Sequence, residues 1–297
     1  MNYYIDNSQS INKILEKMNE FDTLYLKNGV YHEKVKVTKN NITIIGEGKD
    51  TIISYNDYYS KVDDNNFEYI TIRTYSMIVV SDNVTLKNLT VRNECNNAKI
   101  YAQAVALEVI GDDFKAYNIN LIGDQDTLLS GPITPDLLER YKAILPSDEL
   151  KGCKSHQLYD NCYIEGGVDY IFGAGISYFN HCHLHSINNG YIAAPSHLKD
   201  LKYGYVFNEC LITASSNVTN VCIARPWREY GYAAFINCKY SGSFLNKELV
   251  SYWKIERKDT CRFYQYNSFD TSKALSILHN LDKKDIIKFT QDEVLNS

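Results

Sequence analysis

The sequence predicts an all-β fold, a right-handed parallel β-helix wound as a solenoid and closed by short N- and C-terminal capping helices. Three observations carry that reading. Six short segments share one strand-like pattern: 87-KNLTVRN-93, 117-YNINL-121, 160-DNCYIEG-166, 180-NHCHLHS-186, 208-NECLITA-214 and 236-INCKYSG-242. Aligning Leu89, Ile119, Cys162, Cys182, Cys210 and Cys238 puts Val91, Leu121, Ile164, Leu184, Ile212 and Tyr240 in register, at intervals of 30, 43, 20, 28 and 28 residues. A repeat of more than about 20 residues, alternating within each copy, indicates coils that bury their apolar faces only by stacking.

Composition is the second observation. The chain has 25 Tyr and 29 Asn, residues that favour strands and the left-handed corners between them. The third is the scarcity of breakers. Five Pro and 15 Gly in 297 residues argue against a long disordered linker, so residues 1–297 are read as one domain.

The ends are expected to differ from the body. Over residues 1–20, Ile11, Ile14, Leu15 and Met18 follow helical spacing behind the candidate caps Asn7 or Ser8. Over residues 271–297, Ala274, Leu275, Ile277, Leu278 and Leu281 suggest a second apolar helix, and Thr290 with Glu293 reads as a capping box. A solenoid exposes core and unpaired strand edges at both ends, so both segments are read as caps.

The interior of the repeat holds four of the eight Cys, at one coil position. A column of small buried thiols accounts for them without a disulfide or a metal. CxxC-type pairs are absent from the sequence, and His181, His183 and His185 alternate as if they shared one outer strand face. No metal or cofactor is expected.

Charge narrows the partners. With 31 Lys and Arg against 36 Asp and Glu, the net charge of −5 gives no general attraction to nucleic acid or anionic lipid. No apolar run approaches the roughly 20 residues that cross a bilayer. Met1 to Ser10 lacks the basic-then-apolar order of a secretory signal, so the chain is expected in the cytoplasm, or outside the cell if a leader has been removed. A monomer is expected.

Four polar stretches stand out as candidate chemistry: 103-QAVAL-107, 123-GDQDTLL-129, 164-IEGGVDYIFGAG-175 and 223-IARPWREYG-231. Singly each is weak, because a lone Asp in an apolar strand is commonly a turn residue. Together with Gly29, Tyr31 and Glu33 of an early Gly-x-Tyr-x-Glu, they resemble the pectin methylesterase (pectinesterase) family. The matches are Gln103, the Gln125–Asp126 pair, Asp169 in VDYIFG and Arg225–Trp227 in ARPW, in the family's order over roughly residues 20 to 270.

The resemblance implies the same β-helix and an aspartyl esterase that acts on methyl-esterified pectin or oligogalacturonides. It assigns Asp169 as nucleophile, Asp126 as general acid and then base, and Gln125 and Gln103 as amides that stabilise the oxyanion. Arg225 would pair with the nucleophile, Trp227 and Phe172 would face the sugar, and Thr74 would contact substrate. The residue types suit the task. A carboxylate nucleophile must be charged and aimed, which an adjacent guanidinium favours. A second carboxyl beside that charge holds its proton and can give it to a leaving alkoxide.

Two departures from the family pattern bear on substrate binding. Ala224 stands where the family has Gly, and Val250 stands at the first of two Trp positions, leaving only Trp253. Two other readings compete: another β-helix polyuronate enzyme (a pectate lyase or polygalacturonase), and a noncatalytic carbohydrate-binding solenoid. A glycosidase could use both Asp but would leave Gln103 and Gln125 without a task. A binding solenoid would need neither acid.

Overall fold

The structure, a computed structural model, describes residues 1–150 and 154–297. Two sheets make up a parallel β-helix. One runs through eleven strands, from Asn2–Ile5 to Leu278–Asn280; the other has thirteen, among them the long strands Tyr163–Gly173 and His183–Pro195. The aligned repeat is the register of the second sheet: Val91 pairs Leu121, which pairs Ile164, then Leu184, Ile212 and Tyr240.

The inner columns explain why the coils stack. In the first sheet Tyr159, Phe179, Phe207 and Phe235 lie in successive register, with ring centroids 4.8, 4.7 and 4.7 Å apart. All four are fully buried. Cys162, Cys182, Cys210 and Cys238 form the predicted column as free, buried thiols. The Sγ atoms of the last three donate to the carbonyls of Tyr159, Phe179 and Phe207, each in the preceding coil.

Corners are left-handed. Asn88, Asn118, Asn161, His181, Glu209, Asn237 and Asn267 all have φ between 47° and 54°, one per coil. Asn dominates this set because its short amide tolerates positive φ. His181 is therefore a corner residue and does not share a strand face with the other two. His183 and His185 do share one, both bonded to the Thr213 hydroxyl at 2.7 Å. Among the described residues no group of three His, Cys, Asp or Glu is placed to hold a metal.

The N-terminal cap is the helix Ile11–Leu15, which buries Ile11 and Leu15. Its N-cap is Ser10 rather than Asn7 or Ser8. Ser8 is occupied, its hydroxyl and N–H both donating to Asp6 Oδ1. Asn7 packs beneath Gly29, where a Cβ would come within 2.8 Å of it. The early motif is structural here. Glu33 accepts from the backbone of Ile11 and Asn12 and from the Ser10 hydroxyl, and Tyr31 Oη donates to the carbonyls of Ile5 and Lys27.

The C-terminus corrects one expectation. Residues 274–281 are not a helix: Leu278–Asn280 is a strand paired with Arg262–Tyr266. Ile277 and Leu278 are buried against the last coil, and an extended chain there supplies hydrogen bonds to a strand edge that a helix would leave open. Helix appears only beyond it, as a 3-10 turn over Lys283–Phe289 and the helix Gln291–Leu295. Thr290 caps the latter, accepting from the Glu293 N–H as the capping box predicts.

Two long excursions leave the second sheet on one side. Residues 56–76 carry the 3-10 turn Thr71–Arg73, and the segment after Ser130 carries the helix Pro135–Tyr141. Between them lies an outer column in register: Lys36, Ile78, Glu108, Leu129, Phe172 and Ala194. The apolar members are buried, so these excursions act as walls over that face.

Candidate active site

Asp169 lies where the strand Tyr163–Gly173 bends between the two parts of its sheet. Its register against His183–Pro195 shifts on both sides of Val168. The bend needs close backbone approach: a Cβ on Gly167 would fall 2.2 Å from Asp124 Oδ1. Asp169 itself has φ 50°, and Asp126, one coil away, has φ 66°. Left-handed backbone at non-glycine residues costs roughly 1–3 kcal/mol each and gathers at functional sites.

Backbone pairing brings the polar residues of three coils together. Gln103 and Gln125 form a parallel bridge, and Ala104 N–H donates to the Gln125 carbonyl at 3.1 Å. Asp126 N–H donates in turn to the Val168 carbonyl at 3.0 Å. Arg225 reaches in from the strand end after Val221–Ala224. Its Nε and Nη2 donate to the two oxygens of Asp169 at 2.8 and 2.5 Å, a fork that fixes the carboxylate's direction.

The surroundings set the two acids apart. Burial first, then the neighbouring Asp169, pushes Asp126 well above the usual carboxylate range, with only partial opposition from Arg225. Burial also raises Asp169, but there the bidentate Arg225 acts directly against it. Of the two acids, Asp126 has the surroundings that favour the proton more, and Asp169 is the one whose charge is directly countered by a cation.

Asp126, Asp169, Gln103, Gln125 and Arg225 line one cleft of about 330 Å³, together with Phe172, Trp227 and Trp253. Thr71 and Ile72 form one wall, and Leu137 and Tyr141 of the helix Pro135–Tyr141 form the other. Phe172 is only 3% exposed and meets Trp227 edge-on at 5.8 Å, so it is floor and packing at once. Arg228 covers Trp227 with its guanidinium carbon 4.6 Å from the ring centroid.

Thr74 is outside this cleft. It is fully buried, its hydroxyl donating to the Thr71 carbonyl at 2.7 Å and accepting from Val105 N–H at 3.0 Å. That geometry leaves it no reach to a ligand; it holds the turn on which Thr71 faces the cleft. Sequence reasoning also passed over Tyr191, whose ring lies 3.8 Å from the Arg225 guanidinium carbon. The sequence carried no signal for it, since Tyr191 comes opposite Val168, next to Asp169, only after a shift from the register of the repeat.

An arrangement of this kind can carry out acyl transfer: a directed carboxylate, a protonated neighbour and carboxamides around one open space. Comparison with known proteins agrees. A family model described as Pectinesterase matches residues 3–131 and 141–290. Among curated proteins, Pectinesterase 31 of Arabidopsis thaliana is 29% identical over 259 residues, covering 84% of this chain and 74% of its own. Pectinesterase QRT1 of Arabidopsis thaliana is 30% identical over 258 residues; the match covers 82% of this chain but only 60% of that protein's length. A solved pectin methylesterase in complex with a hexasaccharide superposes with a TM-score of 0.79 at 21% identity, over 97% of this chain and 93% of that one.

Proposed function

Because the chain belongs to the pectinesterase family, we propose that it hydrolyses the methyl esters of galacturonate units in pectin or oligogalacturonides, releasing methanol through an aspartyl acyl-enzyme. The observation that carries this reading is the forked Arg225–Asp169 pair beside the buried Asp126 in an open cleft. The structurally similar pectin methylesterase solved in complex with a hexasaccharide supports a sugar chain as ligand.

In the first half-reaction an Asp169 oxygen attacks the ester carbonyl carbon at C6. The carbonyl oxygen takes up negative charge, and amide N–H groups of Gln103 and Gln125 stabilise it without adding net charge. The C–O bond to methoxide breaks as Asp126 gives its proton, and methanol leaves. An anhydride now joins Asp169 to the substrate, and Asp126 is ionised. In the second half Asp126 takes a proton from water, whose oxygen attacks the same carbon. Collapse returns Asp169 as carboxylate and frees the product as its acid, which ionises to galacturonate and gives water's second proton to solvent; Asp126 already carries the first. Arg225 keeps Asp169 charged and aimed at both stages.

Trp227 and Trp253 offer aromatic surface to sugar rings at the cleft edge. With Val250 at the other position, aromatic area on that side comes from Trp253 alone.

The test is product analysis on highly methylated pectin. Methanol without unsaturated ends or new reducing ends is expected; unsaturated ends would make the protein a lyase, reducing ends a glycosidase, and binding without product a lectin-like solenoid. Asp169→Asn should lower methanol release by at least about a thousandfold, with an unchanged circular-dichroism spectrum. Retention of a tenth of the wild-type rate would refute the nucleophile assignment.

A further inference from the structure

The guanidinium of Arg225 is enclosed on both faces. Its carbon lies 3.8 Å from the ring centroid of Tyr191 on one contact and 3.8 Å from that of Trp253 on the other. Its edge donates to Asp169. At 3.8 Å an arginine plane lies in stacking range of an aromatic ring, where cation–π attraction is strongest once water is excluded.

Neither ring is placed by chance of a loose loop. Tyr191 belongs to the strand His183–Pro195 and pairs with Val168 on one side and Cys222 on the other. It therefore sits on the coil between the one that carries Asp169 and the one that delivers Arg225. Trp253 follows a segment pinned to the Arg225 strand: Val250 bridges Ala224, and Ser251 N–H donates to the Ala224 carbonyl at 3.0 Å. Tyr191 does not line the cleft, whereas Trp253 does.

We propose that Tyr191 is a positioning residue which, with Trp253 as the opposite jaw, clamps the Arg225 guanidinium in the plane that forks onto Asp169. The inference rests on the esterase reading for its kinetic consequence, though not for its geometry. A long arginine side chain has many rotamers, and one open face would let it turn its donors toward water. Two rings leave a single plane, and that plane points both donors at the nucleophile. Trp253 has a second duty at the cleft, so Tyr191 is the cleaner probe. The charged and titratable groups facing Asp169 are Arg225 and the protonated Asp126; loss of the fork would leave burial unopposed and would hold the proton on Asp169 to higher pH.

Two variants of the full chain test this. Tyr191→Phe keeps the ring face and removes only the hydroxyl; Tyr191→Leu keeps an apolar side chain, though a smaller one, and removes the face. On methylated pectin, Tyr191→Leu should lose on the order of tenfold in kcat with KM changed less than about threefold. The acidic limb of its kcat/KM profile should move to higher pH, while Tyr191→Phe stays close to wild type. Equal damage in both variants, or a change in KM alone, would overturn the clamp. A second readout is independent of turnover. The Arg225 Nε–H resonance in nitrogen-15 spectra should be protected from water exchange in wild type and Tyr191→Phe, and lost to exchange in Tyr191→Leu. If wild type releases no methanol, the esterase reading fails, yet this resonance still decides the clamp; unchanged protection in Tyr191→Leu would end it.

Discussion

Asp126 and Asp169 carry left-handed backbone, lie buried in adjacent coils and answer to one guanidinium, yet their environments differ in kind. Arg225 touches Asp169 with two donors, whereas Asp126 feels it only at a distance and feels Asp169 as a like charge. Charge on one acid keeps the proton on the other. In the proposed reaction the amides face a different demand, since they would act only when negative charge develops. Gln103 Oε1 is buried without a hydrogen-bond partner among the described residues. Gln125→Ala should lower kcat by about 100- to 1,000-fold while KM moves little, measured as methanol release at saturating substrate; a loss confined to KM would show that the amide serves binding instead. Singly these residues were weak candidates; they were picked out because their motifs, in order along the chain, resemble those of the family. Thr74 was misjudged because its hydroxyl is spent on two backbone groups, which only the folded turn reveals. Tyr191 was missed because nothing in GYIAAP distinguishes a tyrosine beside an arginine from one in the core.

At the scale of elements, stacked coils turn sequence repetition into columns, and a column fails at its middle. Phe207 sits between Phe179 and Phe235, 4.7 Å from each ring centroid, with no exposed surface. Rigid coils above and below cannot close over the space it would leave. Phe207→Ala should therefore cost about 3–5 kcal/mol, read as a lower midpoint in urea unfolding; a cost below about 1 kcal/mol would mean that the aromatic column relaxes freely. Only the neighbouring Cys column was read in advance; the aromatic column keeps a constant spacing from it, three residues earlier in each coil, and a one-residue slip would turn every apolar side chain outward. What the spacing could not separate was helix from strand at 274–281. Ala274, Leu275, Ile277, Leu278 and Leu281 suit either one, and the open edge of Arg262–Tyr266 decided for strand. The cap at Ser10 was obscured for a similar reason: Asn7, Ser8, Gln9 and Ser10 are four polar residues in a row, and the Asp6 turn had already taken Ser8.

Over the whole molecule, the walls of the cleft are fastened to the solenoid by a charged network behind the active site. Glu149, in the connection that carries the helix Pro135–Tyr141, accepts from Lys36 Nζ at 2.8 Å and from Arg73 Nη1 at 3.0 Å. Arg73 adjoins Thr71 and Ile72, so one carboxylate ties both cleft walls to the coil at Lys36. Glu108 projects into the same space from the outer column. It is fully buried, and neither carboxyl oxygen has a hydrogen-bond partner among the described residues. Burial foremost, then Glu149, drives its pKa well above the ordinary glutamate value, while Arg73, Lys34 and Lys36 oppose. The sign follows from linkage. The folded chain binds this proton more tightly than the unfolded chain, so stability is full below the unfolded value, about 4.3, and falls as pH rises through the folded one. Glu108→Gln keeps the size and the neutral state but removes that titration. The variant should match wild type at pH 4 and exceed it at pH 8, by on the order of 1 kcal/mol or a Tm gain of about 2–4 °C. Asp126 and Asp169 remain and slope the same way, so the pH dependence should flatten without vanishing. A variant less stable than wild type at pH 8 would show instead that Glu108 works as an ion, balanced by Arg73 and the two lysines, and that the walls depend on its charge.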